Sequence, residues 1–230
     1  MKKKHSDLRL AFTATLPVMA GYLVLGIGFG FVMRSYGYGT AWSAAEALFV
    51  YAGAMQYAAV GLLRLHASLL TAALTAFAVN ARHLFYGISM LEQYRDVPRG
   101  KWYLIFSLTD ETYSLLCDRD LTDQAEDRKK FFFEVSLLDH IYWTAGCVLG
   151  GLLSSVIPVG SARADFALTA LFVSVFVGQW KNTSDHGPAI AGVTCSVVNL
   201  LLFGRDRFLI PAMIMIVAVL LFMRRSGNDA

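Results

Sequence analysis

The stretch 10-LAFTATLPVMAGYLVLGIGFGFVM-33 contains no charged residue from one end to the other. It is long enough to provide the roughly 20 apolar residues that a helix needs to cross a bilayer. Lys2, Lys3 and Lys4 precede it, as basic residues precede a signal peptide. The apolar core of a signal peptide, however, has only about 7–15 residues and ends at a small-residue cleavage site. We therefore predict an uncleaved first transmembrane helix over this stretch.

Seven more apolar segments follow the first, so the bilayer is the expected solvent for nearly the whole chain. Of the 230 residues, 56% are hydrophobic and 16% are charged, whereas soluble domains have about 25% charged residues. We predict an all-α polytopic membrane protein, a single transmembrane domain over residues 1–230 built as a bundle of about six to eight helical segments, some of them broken or re-entrant. The further segments are Thr40–Leu63, Ala67–Leu91, Trp102–Cys117, Phe131–Ile157, Phe166–Trp180, Gly187–Phe203 and Phe208–Met223.

Several classes of function are excluded by the composition. Cys117, Cys147 and Cys195 lie inside apolar segments without the spacing of metal ligands, and an odd number does not suit a disulfide scaffold. The net charge is only +3, and the basic residues stand in short clusters at segment ends, so nucleic acid is not an expected partner. The sequence has no nucleotide-binding loop, no catalytic triad spacing and no haem motif. We expect no cofactor, no metal site and no catalytic residue.

The distribution of Lys and Arg predicts the orientation of the chain. When these residues are assigned to alternating sides, their excess falls on the N-terminal side if Ala67–Leu91 and Trp102–Cys117 both cross the membrane. The same result follows if both segments are re-entrant or broken, whereas an odd number of crossings reverses it. Because basic residues accumulate on the cytoplasmic side, we expect the N-terminus in the cytoplasm.

A weak internal repeat is visible. The sequence ALFV at 47–50, followed by Gln56, recurs as ALFV at 170–173, followed by Gln179. Repeated helical units that meet at a central site are common in secondary transporters. The corresponding repeat halves are residues 10–91 and 131–203.

Polar residues inside the apolar segments are the candidate functional residues, because a charge at mid-bilayer costs roughly 2.5–3.5 kcal/mol. In the third segment, Asn80, Arg82 and His83 precede a second apolar run over residues 84–91. We expect Arg82 and His83 to form a polar break within buried protein. In the alternative, the segment ends near Val79 and Arg82 lies at the membrane interface.

The segment Trp102–Cys117 contains two adjacent acidic residues, Asp110 and Glu111. With Ser107 and Ser114 they have the spacing i, i+3, i+4, i+7, which predicts one polar helical face. Such a helix either lies flat on the membrane surface or dips inward. If it dips inward, at least one carboxylate needs Arg82 or a proton close to it.

The fifth segment repeats this spacing with Ser136, Asp139, His140 and Trp143. Asp139 and His140 lie near the start of the segment. They are therefore either a structural pair close to the headgroups or part of a proton relay.

Amides and glycines complete the set of polar and special positions. Gln56 and Gln179 can form hydrogen bonds between helices or contact a substrate. Gly53, close to Gln56, and Gly187, before Pro188, could mark helix breaks or caps. Most other glycines are expected where neighbouring helices pack closely.

Three motifs follow one another along the chain: YAGAMQY at 51–57, ARHLFYG at 81–87 and LTDETY at 108–113. In order and separation they resemble the AzlC family of branched-chain amino acid exporters, over nearly the whole chain. The resemblance implies a multi-pass secondary transporter of the bacterial plasma membrane, driven by the proton motive force. It further implies export of leucine, isoleucine and valine, and by extension methionine, as the large subunit of a permease with a small AzlD-like membrane subunit.

A zwitterionic amino acid needs donors for its carboxylate, acceptors for its ammonium group and an apolar wall for its side chain.

There are two competing hypotheses. One is an intramembrane enzyme that uses the buried His, Asp and Glu as acid and base, and the other is a transporter of another small amphiphilic solute. We expect transport and no catalysis, because no nucleophile or metal constellation is recognisable. The expected substrate-binding residues are Gln56, Phe77, Asn80, Arg82, Tyr86 and Gln179, and the expected proton-coupling residues are His83, Asp110, Glu111, Asp139 and His140.

Overall fold

The computed structural model describes residues 7–95, 97, 100–157, 173, 176–177, 180–181, 185–204 and 208–228. All regular structure in this part of the chain is helical, which confirms the predicted all-α fold class. The helices are α1 (Asp7–Ser35), α2 (Thr40–Phe49), α3 (Gly53–Arg64), α4 (Leu69–Met90), α5 (Lys101–Phe106), α6 (Asp110–Cys117), α7 (Arg119–Thr122), α8 (Arg128–Val156), α9 (Gly187–Phe203) and α10 (Leu209–Asn228).

Five of the predicted segments correspond to continuous helices, namely α1, α4, α8, α9 and α10. Two others are each divided into a pair of shorter helices, α2 with α3 and α5 with α6. The remaining segment, Phe166–Trp180, lies largely outside the described residues.

Helix α4 continues without interruption through Arg82 and His83 to Met90. The polar residues therefore do not interrupt the helix, and the helix does not end near Val79; the position of Arg82 in buried protein or at the membrane interface stays a prediction. The physical reason is local, because the stretch before Gly87 contains neither Gly nor Pro and is rich in good helix formers.

Helix length and hydropathy distinguish α1 from the other described helices. Within the described ranges it is the one helix long and apolar enough to cross a membrane, with a mean hydropathy of 2.0 in its most apolar window. The apolar stretches Gly187–Phe203 and Ile214–Met223 are shorter. Helix α8 has the same length as α1, 29 residues, but it begins with several charged residues.

The chain divides into two compact units. The first comprises Met1–His66 and Val79–Leu168, and the second comprises Ala67–Ala78 and Thr169–Ala230. In the first unit, α8 packs along α1 and against α2. In the second unit, α9 packs against α10.

Glycines bring the backbones of α1 and α8 into contact. Gly26 and Gly30 on α1 face Gly146 and Gly150 on α8, and each pair is separated by one turn of helix. A Cβ at Gly30 would lie 2.3 Å from a backbone nitrogen of α8, and one at Gly150 would lie 2.2 Å from the carbonyl oxygen of Ile27. Small residues are what allow such an approach between membrane helices, so the predicted role of glycine is confirmed at this seam.

Candidate functional site

The break between α2 and α3 determines how Gln56 is presented in the first unit. Between the two helices Tyr51 has a φ of +40°, a value uncommon for a residue with a side chain. A Cβ at Gly53 would lie 3.0 Å from the ring of Trp143, so glycine lets the first turn of α3 approach this indole. The expected helix break at Gly53 is confirmed.

Gln56 is completely buried one turn into α3. Its Oε1 accepts a hydrogen bond of 2.7 Å from Nε1 of Trp143 on α8, whereas its Nε2 has no hydrogen-bond partner within the described structure. A buried donor left without a partner costs about 1–3 kcal/mol. The oxygen therefore forms the expected bond between helices, while the nitrogen remains available to a bound molecule.

The break between α5 and α6 arises from side-chain hydrogen bonds to the backbone. Ser107 Oγ donates to the carbonyl oxygen of Tyr103 over 2.7 Å, and Thr109 is the N-cap of α6, accepting from the backbone N–H of Thr112 over 3.3 Å. Such bonds compete with helical ones at Ser and Thr. The single helical face predicted for this segment is therefore wrong, because Ser107 is the C-cap of α5. The other three members, Asp110, Glu111 and Ser114, belong to α6.

The adjacent carboxylates of α6 have different partners. Both occupy the first turn of the helix, where the helix dipole favours negative charge. Asp110 forms an ion pair with Arg82, whose Nη1 donates to Oδ2. Glu111 Oε2 instead accepts a hydrogen bond of 2.7 Å from the hydroxyl of Tyr22. The expected closeness of Arg82 to the acidic pair is confirmed, and the cation neutralises only one of the two acids.

Three of the expected substrate-binding residues lie on one stretch of α4 beside α6. Buried Asn80 Oδ1 and Arg82 Nε have no hydrogen-bond partner among the described atoms. Tyr86 stacks on Tyr113, with ring centroids 4.5 Å apart. His83 Nδ1 lies 3.2 Å from the carbonyl oxygen of Asn80, so its ring is held against its own helix.

Two more of the expected substrate-binding positions are Phe77 and Gln179. Phe77 belongs to the second unit, and its side chain is 67% exposed. Gln179 lies outside the described residues. Their assignment stays a prediction.

The four residues of the predicted face of α8 are all buried, as their spacing predicts: Ser136, Asp139, His140 and Trp143. Asp139 Oδ2 accepts a hydrogen bond of 2.8 Å from Thr112, and its Oδ1 has no partner in the described part of the chain. His140 lies 3.1 Å from the hydroxyl of Tyr103 through Nδ1 and 3.3 Å from the carbonyl oxygen of Ala47 through Nε2. Asp139 and His140 each have their own partners, and their interpretation as a structural pair or as part of a proton relay stays a prediction.

A series of hydroxyl groups joins Glu111 to Asp139. The hydroxyl of Tyr22 lies 2.7 Å from Thr109 Oγ1, Thr109 Oγ1 lies 3.0 Å from Thr112 Oγ1, and Thr112 contacts Asp139. Sequence reasoning missed the three hydroxyl residues of this series, because it searched for charged groups. Two signals were present: threonines flank the acidic pair in LTDET, and a tyrosine interrupts an otherwise apolar first helix.

The part of the chain that contains these residues matches a known family model. The model, described as AzlC protein, covers residues 17–157, which is more than half of the chain. The chain belongs to the AzlC family. The matched region includes both helix breaks and every residue of the hydroxyl series.

Similar proteins are membrane proteins. The Branched-chain amino acid transport protein AzlC of Bacillus subtilis (strain 168) is 39% identical over 222 residues, which cover 96% of this chain and 87% of the relative. An uncharacterized membrane protein of Helicobacter pylori (strain ATCC 700392 / 26695) is 36% identical over 216 residues, or 94% of each chain. Inner membrane protein YgaZ of Escherichia coli (strain K12) is 27% identical over 195 residues, or 78% of each. No solved structure matches the chain. This AzlC-family chain is thus a membrane protein of a transport family.

The second unit of this AzlC-family chain contains a cavity of about 640 Å³. Most of its lining is apolar, and the rings of Trp180 and His186 stack at its edge with centroids 4.1 Å apart. Among the described residues, none of those expected to bind substrate or couple protons lines it, so the polar group of the first unit remains the candidate site.

Proposed function

We propose that this AzlC-family chain exports branched-chain amino acids across a bacterial cytoplasmic membrane, driven by the proton motive force. The proposal follows the name of the relative that is 39% identical over 96% of the chain, a branched-chain amino acid transport protein. Leucine, isoleucine and valine are the expected substrates, and methionine has a side chain of similar size and polarity.

The observation that carries the proposal is the pair of buried, unpartnered polar atoms beside the α2–α3 break. Gln56 Nε2 is a free donor and Asp139 Oδ1 a free acceptor in this part of the structure. On α8, Asp139 lies about one turn from Trp143, which binds Gln56. A zwitterion offers the matching groups, because its carboxylate accepts from an amide and its ammonium donates to a carboxylate.

The start of α3 adds to this polar environment. Ala52 at its N-cap offers no side-chain cap, so the first N–H groups of the helix are open to an anionic group. Half-helix N-termini face substrate carboxylates in other transporters. Buried Met55 and Tyr51 would contact the apolar side chain of the substrate.

Arg82 and Asp110 are assigned to a second step of the cycle. In the structure the guanidinium is held by Asp110, and both side chains are about one-third exposed, 38% and 33%. In this step the substrate carboxylate would replace Asp110 as the anion bound to the guanidinium, while Glu111, the other acid, takes the proton. We expect Arg82→Ala to abolish flux without preventing assembly. Arg82→Lys should restore little, because an ammonium group cannot reproduce the planar fork.

We further propose a cytoplasmic N-terminus and a small AzlD-like partner. The first follows from Lys2, Lys3 and Lys4 before the first helix, and the second from the family resemblance. The glycine face of α1 is not the partner's contact surface where Gly26 and Gly30 lie, because α8 of the same chain already covers it.

The test is flux of labelled leucine in proteoliposomes made with the purified chain, with and without the small subunit, and with and without an imposed proton gradient. We expect gradient-driven accumulation only with both subunits present. Unlabelled isoleucine and valine should compete, and lysine and glutamate should not.

Two variants sharpen the test. Gln56→Leu should lose leucine flux, whereas Gln93→Leu should keep it, because Gln93 binds Arg128 at the surface. Chemical conversion of a substrate without vectorial flux would instead support an enzyme. Equal leucine flux with and without the imposed proton gradient would refute the proposed proton coupling.

A further inference from the structure

The hydroxyl series between Glu111 and Asp139 has more oxygen–oxygen contacts than hydroxyl hydrogens to fill them. Four oxygen–oxygen contacts link the two carboxyl groups: 2.7 Å from Glu111 to Tyr22 and 2.7 Å from Tyr22 to Thr109, then 3.0 Å from Thr109 to Thr112 and 2.8 Å from Thr112 to Asp139. All four distances are those of O–H···O hydrogen bonds. The tyrosine and the two threonines supply only three hydroxyl hydrogens.

One contact therefore lacks a hydrogen when both carboxylates are ionised. Tyr22 then donates to Glu111, Thr112 donates to Asp139, and Thr109 donates to Thr112. The remaining 2.7 Å contact between Tyr22 and Thr109 would bring two oxygen lone pairs together, which is repulsive. A fourth hydrogen removes this repulsion, and only the two carboxyl groups have an oxygen that can carry it.

We infer that the series Glu111–Tyr22–Thr109–Thr112–Asp139 holds one shared proton and conducts it between its two acidic ends. With the proton on Glu111, each group donates to the next in the direction of Asp139. With the proton on Asp139, every donor is reversed. The inference rests on the proton coupling of the proposed function and assigns a path to it.

The transfer balances without another reactant. The O–H proton of Glu111 passes to Tyr22, whose own proton passes to Thr109. The proton of Thr109 passes to Thr112, and that of Thr112 passes to Asp139. Net transfer is one proton, after which Glu111 is ionised and Asp139 is neutral.

Thr109 is suited to both directions. Its oxygen also accepts the backbone N–H of Thr112 over 3.3 Å, which occupies one of its two lone pairs. The other lone pair accepts from Tyr22 in one arrangement and from the hydroxyl of Thr112 in the other. No side chain has to move for the reversal, because only hydrogens change position.

The two carboxyl groups at the ends of the series, Glu111 and Asp139, differ in exposure, so the series can carry a proton between the surface and the interior. Glu111 is exposed on the surface of the described chain, next to Asp110 with its ion-paired Arg82. Asp139 is completely buried, so its carboxyl group is reached by a proton through the series. At the inner end, the titratable groups that lie around Asp139 are Tyr51 and Tyr103 and its neighbour His140. At the outer end, Tyr22, Tyr51 and Tyr86 lie around Glu111, beside its neighbour Asp110.

The experiment removes one hydroxyl and retains the rest of the chain. Thr112→Val deletes the link next to Asp139, Thr112→Ser keeps it, and Thr144→Val is the matched control, because the buried hydroxyl of Thr144 has no partner in the described structure. Proteoliposomes are assayed for gradient-driven leucine accumulation and for exchange of leucine against leucine, which needs no net proton transfer. We expect Thr112→Val to lower accumulation by roughly tenfold or more, as loss of a proton-transfer group does, and to keep exchange. Thr112→Ser and Thr144→Val should retain both activities.

A spectroscopic measurement separates this inference from the proposed function. At neutral pH the infrared spectrum of the wild-type protein should contain the C=O stretching band of a protonated carboxyl group that is absent from the double variant Glu111→Gln/Asp139→Asn. Identical spectra would overturn the shared proton, whether or not leucine is transported. Conduction along the series would be overturned if Thr112→Val accumulated leucine as fully as the wild type. It would also be overturned if this variant lost both accumulation and exchange. A wild-type chain that shows the band but moves no leucine would refute the proposed function alone.

Discussion

Replacement of Gly30 by alanine is expected to force α1 and α8 apart. The added methyl carbon would lie 2.3 Å from the backbone nitrogen of Gly151, 2.5 Å from the carbonyl oxygen of Cys147 and 2.6 Å from the carbonyl carbon of Gly150. Carbon atoms normally approach other heavy atoms to about 3.5–4.0 Å. All three neighbours are backbone atoms, so no change of rotamer can remove the clash. The helices must separate by about 1 Å or more.

The expected loss of stability follows from this separation. A gap of about 0.5–1 Å forfeits a quarter to a half of the attraction between the atoms that line it, and overpacking of an interior typically costs about 1–3 kcal/mol. Because every neighbour is rigid, we expect the upper end of that range. Alanine returns about 1 kcal/mol as a better helix former than glycine. The net decrease in the free energy of unfolding should be about 2 kcal/mol.

Gly21→Ala on the same helix is the matched control. A Cβ at Gly21 would meet no atom within 4 Å, so this variant should be as stable as the wild type or slightly more stable. Thermal unfolding in detergent can be followed with a thiol-reactive dye, because Cys147 is completely buried beside the seam. Equal unfolding temperatures for the Gly30 and Gly21 variants would refute the reasoning.

Three other predictions concern the acidic pair, the buried amide and the orientation. Glu111→Gln should lose gradient-driven leucine accumulation but keep exchange. Asp110→Asn should instead lower the yield of folded protein on size-exclusion chromatography, since it leaves the guanidinium of Arg82 without its anion. Equal chromatographic yields and equal transport for the two variants would contradict this difference. Trp143→Phe should lower the free energy of unfolding by about 1–3 kcal/mol, because Gln56 Oε1 loses its donor, and an unchanged melting temperature would argue against that bond. A cysteine introduced at Lys3 should react with a membrane-impermeant reagent only after cells are opened, and labelling of intact cells would place the N-terminus outside.

Sequence reasoning succeeds where a property is local to one segment. The uninterrupted apolar run of α1 and the start of α9 at Gly187 with Pro188 in its first turn follow from composition and helix-end preferences. The break before Gly53 can also be foreseen, because glycine beside a polar residue in an apolar segment is typical of such breaks. These features need no knowledge of what lies opposite in the fold.

The remaining features depend on partners distant along the chain. Thr109 and Thr112, which lie at the break before Asp110, also hydrogen-bond to Tyr22 and Asp139, and the sequence does not show that these residues meet. A spacing of i, i+3, i+4, i+7 indicates one helical face only if the helix is continuous. For the same reason the hydroxyl series could not be found from the sequence, although the contact between the acidic pair and the guanidinium of α4 could be expected from the cost of isolated charges.

The glycine seam determines which parts of the first unit can change shape during a cycle. Two helices can slide past each other when the side chains between them change rotamer, but a contact made of backbone atoms has no rotamers. We therefore expect α1 and α8 to move as one rigid pair. The helix ends near Tyr51 and Ser107 lack continuous helical hydrogen bonding, so rotation there breaks fewer backbone hydrogen bonds than rotation within a helix. We therefore expect the short half-helices, α2 with α3 and α5 with α6, to be the parts that move. Asp139 belongs to α8, so it should keep its position while the helix surfaces that face it are replaced by others.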